Sequence, residues 1–251
     1  MIKLHVFVAI FLGFRRPVLL GLLMSGSLLM GAAKATPISL DKHRDEQAVQ
    51  RVQDWQSLIA HSLQLNDVEK LQVVNAFFNR HIRYGEDAEL WQQSDYWASP
   101  QETLERGAGD CEDFALAKYF TLRLLGIPEN NLRLVYSTLT AAKQTHMVLG
   151  FWGNAETEPV LLDNLSPAIL PIAQRRDLQM HFAFGETHLY RFEQSNLQVV
   201  GKAEFLPHWP ALMTKLKHDG LFIVSGSASP VSRLFHLAAN QTAQSFAAHK
   251  L

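Results

Sequence analysis

At 251 residues, with 47% hydrophobic and 19% charged residues, the chain carries enough apolar material for one substantial core, or one core with a small appendage. The formal net charge is −1. No Lys/Arg cluster supplies the basic face that phosphate neutralisation requires, which excludes a nucleic-acid partner.

The first stretch stands apart from the rest. Arg15 and Arg16 precede an uncharged run from Pro17 to Ala33, rich in Leu, Met and Gly, and the run closes on Ala33-Lys34-Ala35. A basic region, an apolar region and small residues at −3 and −1 of a cut after Ala35 make residues 1–35 a secretory signal, although its basic region is longer than usual. A permanent membrane anchor is the alternative, but the run falls short of roughly 18 to 20 apolar residues. Removing this segment takes away Lys3, Arg15, Arg16 and Lys34 and no acid, so the charge of −1 falls by four to −5.

A single domain is expected over residues 36–225. Residues 36–53 are polar and charged and read as a loosely packed lead-in. Asn66 followed by Glu69 is a capping-box signature, and Val68, Leu71, Val74, Phe77, Phe78 and Ile82 recur at helical spacing behind it. Residues 83–109, with Trp91, Tyr96, Trp97 and Pro100, read as a long irregular segment ending in Gly107-Ala108-Gly109. From Cys111 to Leu125 the pattern is a nearly all-apolar, hence buried, helix stopped by Gly126 and Pro128. Strand-like runs follow at 132–139, 146–152 and 159–163, and a further one at 188–200. Helices first and antiparallel-looking strands after favour an α+β domain, with a central helix packed on a sheet. The tail, residues 226–251, reads as a weak terminal helix or disorder.

Cys111 is the only cysteine, and in an exported chain an unpaired thiol is a buried filler, an intermolecular bridge or a reactive group. Asp110 starts the buried helix and puts Cys111 in its first turn, where free N–H groups and the helix dipole favour a thiolate. His146 opens one strand and Asp163 closes the next, so adjacent strands could set an imidazole beside a carboxylate opposite the helix start. Taken singly, each has a bland reading: core cysteine, strand-end histidine, turn cap. His81, His181, His188 and His208 read as surface or structural. Asp110, Glu112 and Asp113 crowd the thiol with negative charge, which raises its pKa and opposes activation. They are helix caps, or they hold a hard cation, for which calcium is the natural candidate in an exported protein. Trp97 is an aromatic loop anchor, or it lines a substrate groove or supplies an indole N–H to the oxyanion.

The run Gly107-Ala108-Gly109-Asp110-Cys111-Glu112-Asp113, with His146-Met147-Val148-Leu149 and Leu161-Leu162-Asp163-Asn164, resembles the LapG family of bacterial transglutaminase-like cysteine proteinases. The similarity spans about residues 75–177, with Asp95-Tyr96-Trp97 and Gly126-Ile127-Pro128 inside it. It implies a transglutaminase/papain-like fold, with N-terminal helices and a Cys-bearing helix on an antiparallel sheet. It further implies a periplasmic, calcium-dependent endopeptidase that cuts a large repeat adhesin near its N-terminal retention module, after paired alanines, and so disperses a biofilm. The periplasmic domain of an inner-membrane cyclic-di-GMP receptor would be its inhibitor. Residue by residue, the resemblance gives Cys111, His146 and Asp163 the catalytic roles and Asp110 and Glu112 the calcium-binding ones, with Asp113 a weaker ligand. Protein acyl transfer by the same three residues, or a non-catalytic calcium- or adhesin-binding module, are the alternatives. Nothing in the sequence fixes the oligomeric state.

Overall fold

The computed structural model describes residues 38–153, 158–193 and 196–221, with side chains from residue 46 onward, and these belong to one unit beginning at Ile38. The signal segment 1–35, its membrane-anchor alternative and the tail 226–251 lie outside the described residues. Among the described residues no helix is long and apolar enough to cross a membrane.

Of the loosely packed lead-in expected at 36–53, the described residues, from Ile38 on, are instead part of helix α1, Ile38–Ser62. Charges dominate its composition, but Val52, Trp55 and Ile59 fall on one face at helical spacing and all three are buried. The Trp55 indole Nε1 donates to Thr121 Oγ1 at 2.9 Å, tying this helix to the centre of the protein. Helix α2, Asp67–His81, begins with the expected capping box: the Glu69 N–H donates to Asn66 Oδ1 and the Asn66 N–H donates to Glu69 Oε2, both at 3.0 Å. Its buried stripe runs through Leu71, Val74, Phe77 and Phe78, whereas Val68 in the first turn is exposed.

The segment 83–109 is more regular than its composition suggests. Strand β1, Arg83–Tyr84, is followed by helix α3, Asp87–Leu90, and helix α4, Pro100–Arg106, before strand β2, Ala108–Gly109, pairs in parallel with β1. Ser99, Pro100 and Glu102 form a second capping box with proline in the first turn, which is what allows so short a helix to form. Gly107 ends it at φ 66°, a left-handed position, and Arg51 from α1 covers this end, its Nε donating to the Leu104 carbonyl at 2.6 Å.

Helix α5, Cys111–Leu124, is buried at every residue from Asp113 to Leu124. It packs on a seven-stranded sheet made of β3 (Leu132–Leu139), β4 (Gln144–Phe151), β5 (Val160–Leu162), β6 (Leu170–Pro171), β7 (Leu178–Phe184), β8 (His188–Glu193) and β9 (Asn196–Lys202). The spatial order is β6-β5-β4-β3-β7-β8-β9, and every neighbouring pair is antiparallel. Alternation along β3 and β4 sends Leu132, Leu134, Met147 and Leu149 into the core with α5, while Val135 and Val148 join a smaller cluster with Leu161 and Ala183. The α+β architecture of a Cys-bearing helix on an antiparallel sheet is thus observed. The strand expected over 188–200 is two strands, and β7 and helix α6, Trp209–His218, are additions that the sequence reading did not contain.

Candidate active site

Asp163 follows the last residue of β5, and β5 pairs with β4 in the register Leu149↔Leu162, which brings it beside His146. The two side chains meet: His146 Nε2 lies 2.8 Å from Asp163 Oδ1, and both are buried. Burial pushes the Asp163 carboxyl up, but His146, the Leu165 N–H and the Arg175 guanidinium outweigh it and hold the carboxyl down at about 2. An ionised Asp163 accepts only, so Nε2 carries the imidazole proton and Nδ1 is the ring nitrogen left free. Asn79 of α2 donates to the Asp163 carbonyl at 2.7 Å, and Ser137 of β3 donates to the His146 carbonyl at 2.8 Å, so the backbone is held at both residues.

Cys111 opens α5 and is half-buried against the core. Its thiol lies 3.0 Å from Glu112 Oε2. The backbone N–H of Met147, next to His146 on β4, also faces the sulfur and favours the thiolate, placing the cysteine beside the middle of that strand. Burial, and then the Glu112 carboxylate, push the thiol well above its ordinary range.

The acidic crowding goes beyond the three carboxylates around Cys111. Asp87, at the start of α3, is buried and joins Asp110 and Asp113 in a group whose oxygens lie within 4.8 Å of one another; Asp87, Asp95 and Glu112 form a second such group. Asp110 stands at the N-cap of α5 yet makes no side-chain cap hydrogen bond, so helix capping does not account for it. Asp113 spends Oδ1 on the Ala98 N–H at 2.9 Å, and Asp87 spends Oδ2 on the Tyr96 N–H at 2.5 Å. Their remaining oxygens, with Asp110 Oδ1, are buried and have no hydrogen-bond partner. Burial and mutual repulsion raise Asp87 to about 6 and Asp110 to about 10, and push Asp113 well up. Converging, orphaned carboxylate oxygens fit a hard divalent cation, which takes oxygen ligands and would cancel the repulsion. Gly109 allows this packing, because a Cβ there would lie 2.6 Å from Asp113 Cβ and 2.7 Å from its Oδ2. Gly109→Ala is therefore expected to lower Tm by about 5 °C in a thermal melt, as overpacking does.

A family model described as bacterial transglutaminase-like cysteine proteinase matches residues 31–178. The chain belongs to this family. Among solved structures, EGTA-treated LapG of Legionella pneumophila is 36% identical to the proteinase, with a TM-score of 0.60 over 70% of this chain and 96% of that one. A second structure, titled only as Legionella pneumophila LapG, is 35% identical with a TM-score of 0.60, over 73% of this chain and 100% of that one. The calcium-bound form is 35% identical with a TM-score of 0.59, over 71% and 98% respectively. Comparison with curated proteins gives no match.

Against this background, several site features of the proteinase escaped sequence reading. Asp87 lies in the segment read as irregular and belongs to a four-residue helix too short to leave a periodic signal. Arg175 sits in a connection between strands and carries no motif. Trp97 stacks on Phe184 at 5.6 Å and meets Trp209 edge-on at 6.4 Å, which supports its role as a loop anchor. His181 contacts Thr138 Oγ1 at 2.9 Å and His208 lies 3.2 Å from Asp95, away from the imidazole of His146.

Proposed function

We propose that this proteinase is a periplasmic, calcium-dependent endopeptidase that cleaves the N-terminal region of a large surface adhesin, releasing it and promoting biofilm dispersal. Cys111 is the nucleophile, His146 the general base and Asp163 the residue that orients the histidine. One observation carries the catalytic part: a cysteine proteinase with one cysteine in its sequence has one candidate nucleophile, and this one heads the central helix beside a buried His–Asp pair. With Nε2–H donated to Asp163, Nδ1 takes the thiol proton as sulfur attacks the scissile carbonyl carbon. The imidazolium returns that proton to the leaving amine, and a water molecule, deprotonated by the same nitrogen, then releases the acyl group from sulfur.

Asp87, Asp110, Glu112 and Asp113 are the residues that would hold the cation, which supplies positive charge beside the thiol when bound. The calcium-bound state of the Legionella relative supports calcium as that ion. The adhesin substrate, and the periplasmic domain of a cyclic-di-GMP receptor as inhibitor, rest on the sequence resemblance. So does export, with removal of residues 1–35.

The experiment is incubation of the purified enzyme, with calcium, with the N-terminal region of the large repeat adhesin from the same cell. A single cut at a paired-alanine position, located by mass spectrometry, is the expected result. Incorporation of a fluorescent amine in place of a cut would replace hydrolysis with acyl transfer. Calcium binding with neither reaction would leave a non-catalytic module.

A further inference from the structure

The His–Asp pair is not the end of the hydrogen-bonded chain behind the thiol. Arg175, in the connection between β6 and β7, is buried, and its Nη2 donates to Asp163 Oδ2 at 2.6 Å. The same Nη2 donates to Asp177 Oδ2 at 2.8 Å, and Nε donates to Asp177 Oδ1 at 2.9 Å. Asp163 has its other oxygen engaged by His146 and by the Leu165 N–H at 3.0 Å. The carboxylate is thus gripped on both oxygens, one by the imidazole and the other by a guanidinium that is also tied to a half-exposed acid. A buried ion pair is weak as a source of stability, since well-packed apolar residues generally serve as well. Arg175 also keeps Nη1 buried without a hydrogen-bond partner, an added cost for a purely structural side chain. What the arrangement does provide is a fixed carboxylate plane. The planar fork meets Asp177 through Nε and Nη2 and so fixes the direction in which Nη2 reaches Asp163, a geometry that the single rotatable ammonium of a lysine does not fix. Lys118 of α5 is the other buried cation whose field reaches Asp163, but it makes no hydrogen bond to it among the described contacts.

We propose that Arg175, steadied by Asp177, is a positioning residue that holds Asp163 in the orientation needed to fix the His146 ring; this rests on the assignment of Cys111, His146 and Asp163 given above. Asp177→Asn, which loosens the fork but keeps the cation, costs little, about threefold in kcat, as a half-exposed ion pair is worth. Arg175→Gln costs much more, about 10²-fold in kcat at unchanged KM, because a small misplacement of the base suffices.

The first readout needs no substrate. The imidazole Nε2–H of His146, identified in proton NMR by its loss in His146→Gln, is expected to be slow to exchange in the wild-type protein and in Asp177→Asn. It is expected to exchange fast in Arg175→Gln, while the amide spectrum and melting transition show a folded protein. Should Arg175→Gln not fold, Arg175→Lys, which keeps the charge and lacks the fork, carries the same test and the same expectation. The second readout is a double-mutant cycle on cleavage of the adhesin fragment. In an Asp163→Asn background, Arg175→Gln is expected to cost less than about twofold, since residues acting as a unit are not additive. An unchanged Nε2–H in the arginine variant, or full additivity in the cycle, would overturn the proposal. Cleavage surviving Cys111→Ala would instead overturn the catalytic assignment, and leave the NMR result to judge the clamp by itself.

Discussion

Cys111→Ala is expected to abolish cleavage, and Asp163→Asn to lower kcat by about 10³ to 10⁴, the range seen when a triad carboxylate becomes an amide. The alanine variant has no other thiol to turn to. The asparagine variant is the more informative, because an amide NH₂ in place of Oδ1 would face the Nε2–H and favour the tautomer with its proton on Nδ1, the nitrogen needed for the thiol. Asn would also meet Arg175 as a neutral partner. A second signature accompanies the kinetic loss. The folded-state carboxyl of Asp163 lies at about 2, below its ordinary value of 3.8, so its contribution to stability is present above about pH 4 and is lost as pH falls through 2. That contribution is about 2 kcal/mol. Denaturant titrations at pH 7 and at pH 2 to 4 should therefore converge for wild type and variant at the acid end. Cleavage at wild-type rates by Asp163→Asn would remove Asp163 from the mechanism.

On the proposed calcium dependence, chelation is expected to lower activity by at least about 10²-fold, and Asp87→Asn or Asp110→Asn to do the same in the presence of calcium, as loss of a charge-stabilising group does. The basis is the cluster of buried carboxylates whose spare oxygens converge without partners. The chelated protein should also have a distinctive pH profile. Asp87 titrates at about 6 in the folded state against 3.8 in the unfolded chain, and a raised acid stabilises below its unfolded value and ceases to do so as pH rises through its folded one. Between about pH 4 and 6, chelated protein should therefore lose stability as pH rises. Calcium held by this cluster would reverse that trend, because a cation binds the deprotonated carboxylates. Calorimetric scans with calcium and with EGTA measure both. Equal melting temperatures and equal activity in the two would remove the cation and leave the cluster unexplained.

Much of this site was legible in sequence because its parts stand at the ends of strongly patterned elements. The apolar run behind Cys111 could only be a buried helix, and the strands holding His146 and leading to Asp163 are short apolar runs between turns. Less accessible were groups placed by tertiary contacts alone. Asp87 reaches Asp110 and Asp113 because β1 pairs with β2, a two-residue match with no local signature. Arg175 reaches Asp163 across a connection. The reading of 36–53 as loose failed for a different reason. Charge dominates that span, and of the apolar stripe Val52, Trp55 and Ile59 only Val52 falls inside it, so the helix signal lay across the boundary drawn at residue 53. Likewise Ser99-Pro100 followed by Glu102 announced α4 within a segment judged by its aromatic and glycine content.

The ends of the sheet differ in a way that matters for handling concentrated protein. Among the described strands, β6 closes one end with two residues, and Pro171 offers no N–H to an incoming strand. The opposite end is β9, seven residues long, with Val199 and Val200 exposed and Lys202 its only charged residue. Such an edge is a template for strand addition, and since β6 takes no partner, self-association at high concentration would pair β9 with β9 of a second copy and stop at a dimer rather than grow into longer chains.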